Sequence, residues 1–284
     1  MAPDTNTDIH AHVSKRYGEI AQEGGSCCGS KTDLGRLDHA EAIGYSADEI
    51  ATLPEGANLG LGCGSPTSLT MIEPGMTVVD LGSGAGIDCF LASPKVGKTG
   101  QVIGVDMTDA MLEKSNAYAK EHGYENVSFR KGQIEALPID DASVDLVISN
   151  CVLNLSPDKG KVFAEIMRVL KPGGRAAISD IVLLKPLPKQ IVEDVEAYIG
   201  CISGAELMEN YLGQAIRSGL EVTSAKRKGY DVMHVLSCSP DAGKLLENVP
   251  AEFAGNDHVA SLDVVLSRPT GVVEAPKKSG CCCG

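Results

Sequence analysis

An apolar run, Val78-Val79-Asp80-Leu81, leads directly into Gly82-Ser83-Gly84-Ala85-Gly86, and apolar residues resume at helical spacing from Ile87. This order commits the chain to a strand, a tight turn and a helix in quick succession. Glycine at every second position lets a ligand approach the turn's backbone amides closely, and the helix that follows offers its own unpaired amides at the same place. In an open sheet the ligand of such a unit lies at the carboxyl end of the strand.

The middle of the chain repeats the unit. Patterning predicts strands at 77–81, 100–106, 127–131, 144–149 and 174–184, with helices at 87–96, 110–121 and 159–170 between them. Such alternation predicts an α/β fold, a Rossmann-like, mostly parallel sheet with helices on both faces. Upstream, Ile9, Val13, Tyr17 and Ile20 share a helical face, and Glu23 to Gly29 breaks the pattern into a loop bearing Cys27 and Cys28. Ser46 with Glu49 three residues later is a capping-box pair opening a short helix that Pro54 closes. Residues 59–66 form a glycine-rich loop around Cys63. Downstream, helical stretches at 190–199 and 205–218 flank a break at Cys201, and strands are expected at 222–227, 232–236 and 259–266, with a helix near 241–246. The chain thus divides into an N-terminal helical, thiol-bearing extension (1–75), a core (76–185), a region of helices, remaining core strands and a small C-terminal α+β cap (186–268), and a disordered cysteine-bearing tail (269–284).

A formal charge of -13 argues against a nucleic-acid backbone or an anionic membrane surface as partner, and the absence of Trp removes a usual stacking platform for single strands. No stretch approaches the roughly 20 apolar residues that span a bilayer, and Asp4 and Asp8 interrupt the start, so a cytoplasmic, monomeric protein is expected. Ten cysteines are many for such a chain, yet they form no Cys-x-x-Cys pair, so reduced thiols are expected, without a disulfide framework or a structural zinc.

Two ligand loops share this strand-turn-helix form: the dinucleotide loop Gly-x-Gly-x-x-Gly, and the acidic-x-Gly-x-Gly-x-Gly loop of S-adenosylmethionine-dependent methyltransferases. The spacing Asp80, Gly82, Gly84, Gly86 fits the second. Asp106 closes the second strand roughly 20 residues on, where an acidic side chain accepts from ribose hydroxyls. Gln133 and Ile134 follow the third strand, where methyltransferases receive adenine. The candidate cofactor residues are therefore Asp80, Gly82, Ser83, Gly84, Gly86, Asp106, Met107, Gln133, Ile134 and Asn150.

Four further patterns stand out, the last three of them far more specific than the glycine loop: the early Cys27-Cys28, Leu61-Gly62-Cys63-Gly64-Ser65-Pro66, Ser149-Asn150-Cys151-Val152-Leu153-Asn154-Leu155-Ser156-Pro157-Asp158-Lys159, and Gly200-Cys201-Ile202-Ser203-Gly204-Ala205. Together they resemble the arsenite methyltransferase family over about Tyr17 to Leu220. The resemblance implies that Cys63, Cys151 and Cys201 bind trivalent arsenic, delivered as arsenite or a thiol conjugate, while Cys28, or Cys27 beside it, acts with Cys63 in a redox step. Thioredoxin or glutathione would then restore the thiols. Soft thiolates suit soft arsenic, and three sulfurs leave its lone pair free to attack the methyl group. The three terminal cysteines suggest a scoop that delivers arsenic to the core. Cys89, Cys238, His39, His122, His234 and His258 are expected to be ordinary core or surface residues. Two other functions fit less of this pattern: methylation of another small molecule, and thiol-based metalloid binding without turnover.

Overall fold

The computed structural model describes residues 6–23, 33–192, 201–230 and 255–271. Strands β1 (Thr77–Leu81), β2 (Gln101–Asp106), β3 (Val127–Lys131), β4 (Val144–Asn150), β5 (Leu170–Leu183), β6 (Glu221–Gly229) and β7 (Val259–Ser267) form one sheet ordered β3-β2-β1-β4-β5-β7-β6. β1 to β5 run parallel, and β7 lies antiparallel between β5 and β6. Because β2 and β4 flank β1 on opposite sides, the connections leaving β1 and β4 part at their carboxyl ends and open a crevice there.

Helices α1 (Asn6–Glu23), α2 (Asp33–Ile43) and α3 (Ala47–Ala51) precede the sheet. Those that follow are α4 (Ile87–Val96), α5 (Asp109–Glu121), α6 (Lys159–Val169), α7 (Lys189–Val192), α8 (Met208–Arg217) and α9 (Gly255–His258). Both faces of the central strands are covered, which explains their nearly unbroken apolar sequence. Val79, Leu81 and Val147 pack with Phe163 and Ile166 of α6 and Tyr211 of α8, while Val78, Leu146 and Ile148 face Ala92 and Val96 of α4. Phe163 and Tyr211 meet edge to face with ring centres 5.2 Å apart. Among the described residues no helix is long and apolar enough to cross a membrane.

Three local features differ from the sequence expectation. β5 starts at Leu170, directly from α6, and Lys171 to Gly174 bulge out of register between the pairs Val144–Leu170 and Leu146–Arg175. Pro172 cannot donate to a ladder, so the expected turn is absorbed into the strand as a bulge. The helix expected from 205 starts only at Met208, because Ala205 closes a turn onto the Ile202 carbonyl and Leu207 bridges to Leu183 of β5. α2 has no counterpart in the sequence reading, since Gly35 lowers its helix propensity and Leu34, Leu37, Ala40, Ala42 and Ile43 spread around the helix instead of sharing one face. The strands expected at 222–227 and 259–266 are β6 and β7 of the main sheet. The strand expected at 232–236, the helix at 241–246, the stretch 193–199 and the tail from 272 lie outside the described residues.

Candidate functional site

The crevice holds about 1080 Å³ of empty space, part of it open to solvent. The glycine loop, the end of β2, the segment after β3, the end of β4 and one face of α1 enclose it. Of the expected cofactor residues, Asp80, Gly82, Ser83, Gly84, Asp106, Met107, Gln133, Ile134 and Asn150 line it, and Gly86 does not. Gly86 instead caps α4 at φ 97°, where a Cβ would meet the rings of Phe90 and Phe129 at 2.8 and 2.9 Å. It shapes the turn from beneath.

The Gly84 amide donates to Asp106 Oδ2 at 2.9 Å and the Thr108 amide to Oδ1 at 2.8 Å. Burial raises the Asp106 pKa against the pull of hydrogen bonds from Thr108, Gly84 and Met107. Two more carboxylates lie deeper on the same wall. Asp88, in the first turn of α4, accepts from the Tyr45 hydroxyl at 2.9 Å, and burial pushes it up to about 6. Asp80 is raised further, first by burial and then by the nearby charge of Asp88.

Sequence reasoning missed several wall residues, Asp88, His10 and Glu135 among them. His10 on α1 lies 3.4 Å from Glu135 Oε1, which also accepts from the Ser156 hydroxyl. His10 falls on the apolar stripe with Val13 and Tyr17, which was the available signal that this stretch of α1 faces the crevice. His39, expected as an ordinary residue, also lines the crevice, with Nε2 2.9 Å from the Gly62 carbonyl. Ser83 Oγ, Glu135 Oε2 and His10 Nδ1 are buried without a hydrogen-bond partner.

Cys63, Cys151 and Cys201 come from three separate segments and are all free and buried. They share one apolar cluster with Val13, Leu155, Ile181 and Ile202. The Cys63 thiol donates to the Ser179 carbonyl at 3.5 Å and the Cys201 thiol to the Cys151 carbonyl at 2.8 Å, so both are held next to Cys151. Of the three, Cys151 lines the crevice, and the other two stand behind it. Cys151 and Cys201 adopt left-handed backbone, φ 60° and 62°, a conformation that costs a residue with a Cβ about 1–2 kcal/mol. Cys151 is held there by its amide, which donates to the Ser179 carbonyl at 2.8 Å.

Burial pushes the Cys63 thiol up to about 11. At Cys151 the neighbouring Cys201 thiol lowers the pKa, but the neighbouring Cys63 thiol and burial more than offset it. Cys201 is raised by the neighbouring Cys151 thiol and then by burial. All three are therefore neutral thiols at neutral pH. Among the described residues no group of three or more His, Cys, Asp or Glu side chains is arranged to hold a metal ion. Cys89 is a buried core residue whose thiol donates to Asp80 at 3.4 Å. Cys27, Cys28, Cys238, His234 and the terminal cysteines lie outside the described residues.

A family model for a methyltransferase domain matches residues 72–236, which run from before β1 to beyond β6. The chain belongs to the methyltransferase-domain family. Its sheet is the class I methyltransferase-like α/β arrangement, and α1 and the Cys63 loop are additions ahead of that domain. The methyltransferase is similar to a curated arsenite methyltransferase of Halobacterium salinarum, with 44% identity over 76% of this chain and 58% of that protein. It is also similar to the arsenite methyltransferase of Mus musculus, with 41% identity over 72% of this chain and 56% of that protein. The chain thus spans somewhat more than half the length of these curated relatives. Among solved structures it is similar to an arsenic(III) S-adenosylmethionine methyltransferase from Chlamydomonas reinhardtii, with TM-score 0.57 and 28% identity over 82% of this chain and 73% of that one.

Proposed function

We propose that this methyltransferase moves methyl groups from S-adenosylmethionine to trivalent arsenic held by Cys63, Cys151 and Cys201. The observation that carries the reading is the position of Cys151: one thiol on the crevice wall, packed in the same buried cluster as two others behind it. The names of the relatives support the same chemistry.

The crevice suits the donor. Bound there, S-adenosylmethionine would supply an electrophilic methyl group on a sulfonium. Asp80 and Asp88 are buried carboxylates whose ionised forms a bound cation would favour, and the Asp106 carboxylate at the end of β2 is an acceptor suited to ribose hydroxyls. Gln133 and Ile134 stand where adenine would lie. The unpartnered Ser83 Oγ and Glu135 Oε2 are buried polar atoms that a polar ligand would satisfy.

The thiols suit the acceptor. As each neutral thiol replaces a hydroxyl of arsenous acid, its proton leaves with that hydroxyl as water, so loading needs no separate base. Three As–S bonds leave the arsenic lone pair for the methyl group. As the As–C bond forms, the donor's S–C bond breaks, and holding the two in line supplies much of the rate. The product is formally pentavalent. Attack of the Cys28 or Cys27 thiol on the arsenic-bound sulfur of Cys63 forms a disulfide, breaks one As–S bond, releases a proton and returns two electrons to arsenic. Thioredoxin or glutathione would then reduce that disulfide in the cytoplasm.

Incubation with labelled S-adenosylmethionine, arsenite and a thiol, followed by arsenic speciation, tests the reading. Wild type is expected to yield methylated arsenic, and Cys151→Ser and Cys201→Ser to lose nearly all of it. Full activity in both variants would overturn the site. Arsenic binding without methylation would favour the metalloid-binding alternative.

A further inference from the structure

The stretch from Asn150 to Lys159 contributes more than the thiol of Cys151. Asn150 ends β4, and its side-chain amide is fully committed. Oδ1 accepts from the amides of Cys63 at 3.0 Å and Gly64 at 3.2 Å, while Nδ2 donates to the Gly64 carbonyl at 2.7 Å and the Tyr45 hydroxyl at 2.9 Å. Two lone pairs and two hydrogens are thereby used, leaving the group no capacity for a further partner. The Cys63 loop lies so close that a Cβ on Gly62 would stand 2.7 Å from Asn150 Nδ2.

Lys159 opens α6 with a side chain only 4% exposed, and its nearest carboxylate, Glu206, is 3.9 Å away. Its short hydrogen bond is to the carbonyl of Gly204, at 2.7 Å, three residues beyond Cys201. Burying an ammonium is expensive unless it is paired and hydrogen-bonded. Here that cost fixes the place of the Cys201 loop. Between these two residues, Asn154 directs Nδ2 at the carbonyls of Ile181 and Cys201, at 2.7 and 3.3 Å.

We propose that Asn150 and Lys159 are positioning residues that hold the Cys63 and Cys201 loops on either side of Cys151, so that this one segment assembles the three-thiol site. The proposal takes Asn150 from the cofactor to the acceptor half of the site, and its arsenic consequences rest on the function proposed above. Its prediction is selective. Loss of the Asn150 bonds frees Cys63 and leaves the Cys151–Cys201 pair, whereas loss of the Lys159 bond frees Cys201 and leaves the Cys63–Cys151 pair.

Two probes on the full-length protein separate these outcomes. The first is a bifunctional alkylating reagent that bridges neighbouring thiols, with the linked peptides identified by mass mapping. Wild type is expected to give Cys63–Cys151 and Cys151–Cys201 links, Asn150→Ala to lose the first alone, and Lys159→Met the second alone. The second probe compares arsenite, which takes three thiols, with phenylarsine oxide, which takes two. Each variant is expected to lose affinity for arsenite by about tenfold or more, the scale of one contact no longer preorganised, and to keep its affinity for phenylarsine oxide. Wild-type link patterns in both variants, or equal loss of both reagents as from general unfolding, would overturn the proposal. Failure of wild type to bind arsenite would overturn the arsenic reading, and the cross-linking arm would still judge the positioning.

Discussion

At most positions glycine is the less stable choice against alanine, and Cys151 and Cys201 are where that order should invert. Both residues have φ near +60°. An L-residue there gives up about 1–2 kcal/mol to the contact between its Cβ and the carbonyl, a cost glycine escapes. Against this, glycine loses more chain entropy on folding, about 0.5–1 kcal/mol relative to alanine. The difference favours glycine by about 0.5–1 kcal/mol. Cys→Gly and Cys→Ala remove the same thiol, so lost sulfur contacts largely cancel between the two variants. The assay is urea denaturation of the four single variants at one pH, with m-values checked for constancy. The Gly variant is expected to unfold at the higher urea concentration at both sites, with none of the four methylating arsenite. An Ala variant more stable than its Gly counterpart at both positions would show that the backbone carries no such strain.

Three other outcomes follow from the same site. Asp180, wholly buried beside Asn154 and Tyr211, is pushed by burial from 3.8 to about 7. Because the folded state holds this proton more tightly, stability drains away as pH rises from about 4 to 7, by up to about 4 kcal/mol, so Asp180→Asn should gain on wild type steadily across that window; a pH-independent difference in denaturation midpoint would refute this. Cys63, at about 11 against an ordinary 9.0, should carry about 100-fold less thiolate than a free cysteine. Its greater nucleophilicity recovers at most roughly tenfold, so alkylation followed by mass spectrometry should run at least about tenfold slower, and a rate matching free cysteine would contradict the burial argument. Asp106→Ala removes the anchor of the Gly84 amide and the expected ribose acceptor, so calorimetry should show S-adenosylmethionine bound at least about tenfold more weakly with arsenite binding intact; an unchanged donor affinity would remove Asp106 from the site.

The donor half of the crevice was legible in the sequence because it is local. Asp80 to Gly86 lie in one turn, and Asp106 and Gln133 occupy equivalent places at the ends of the next two strands, so counting along alternating strands and helices finds them. The acceptor half depends on contacts far apart in the chain. Cys63 and Cys151 were recognisable through their motifs, yet the bond between Asn150 and the Cys63 amide spans 87 residues and that between Lys159 and Gly204 spans 45. No periodicity encodes such pairs. His10 was hidden for a different reason: on an apolar helical stripe a histidine reads as a tolerated exception, and only the packing of α1 over the crevice shows its neighbour, Glu135.

The two halves meet one backbone demand in opposite ways. Around the proposed donor site, Gly82, Gly84 and Gly86 take φ of 65°, 52° and 97°, and nothing is lost because that turn needs no side chains there. Around the acceptor the same left-handed turns must carry sulfur, so glycine is barred and cysteine takes the strain. To that strain the cluster adds a buried lysine, 3.9 Å from its carboxylate partner, and a buried aspartate raised to about 7. Each is costly alone, and all lie around the same three thiols. A fold selected only for stability would put alanine, glycine and an apolar residue at these places. Their concentration there indicates that the thiols, more than the sheet that supports them, are what this segment of the chain is built to present.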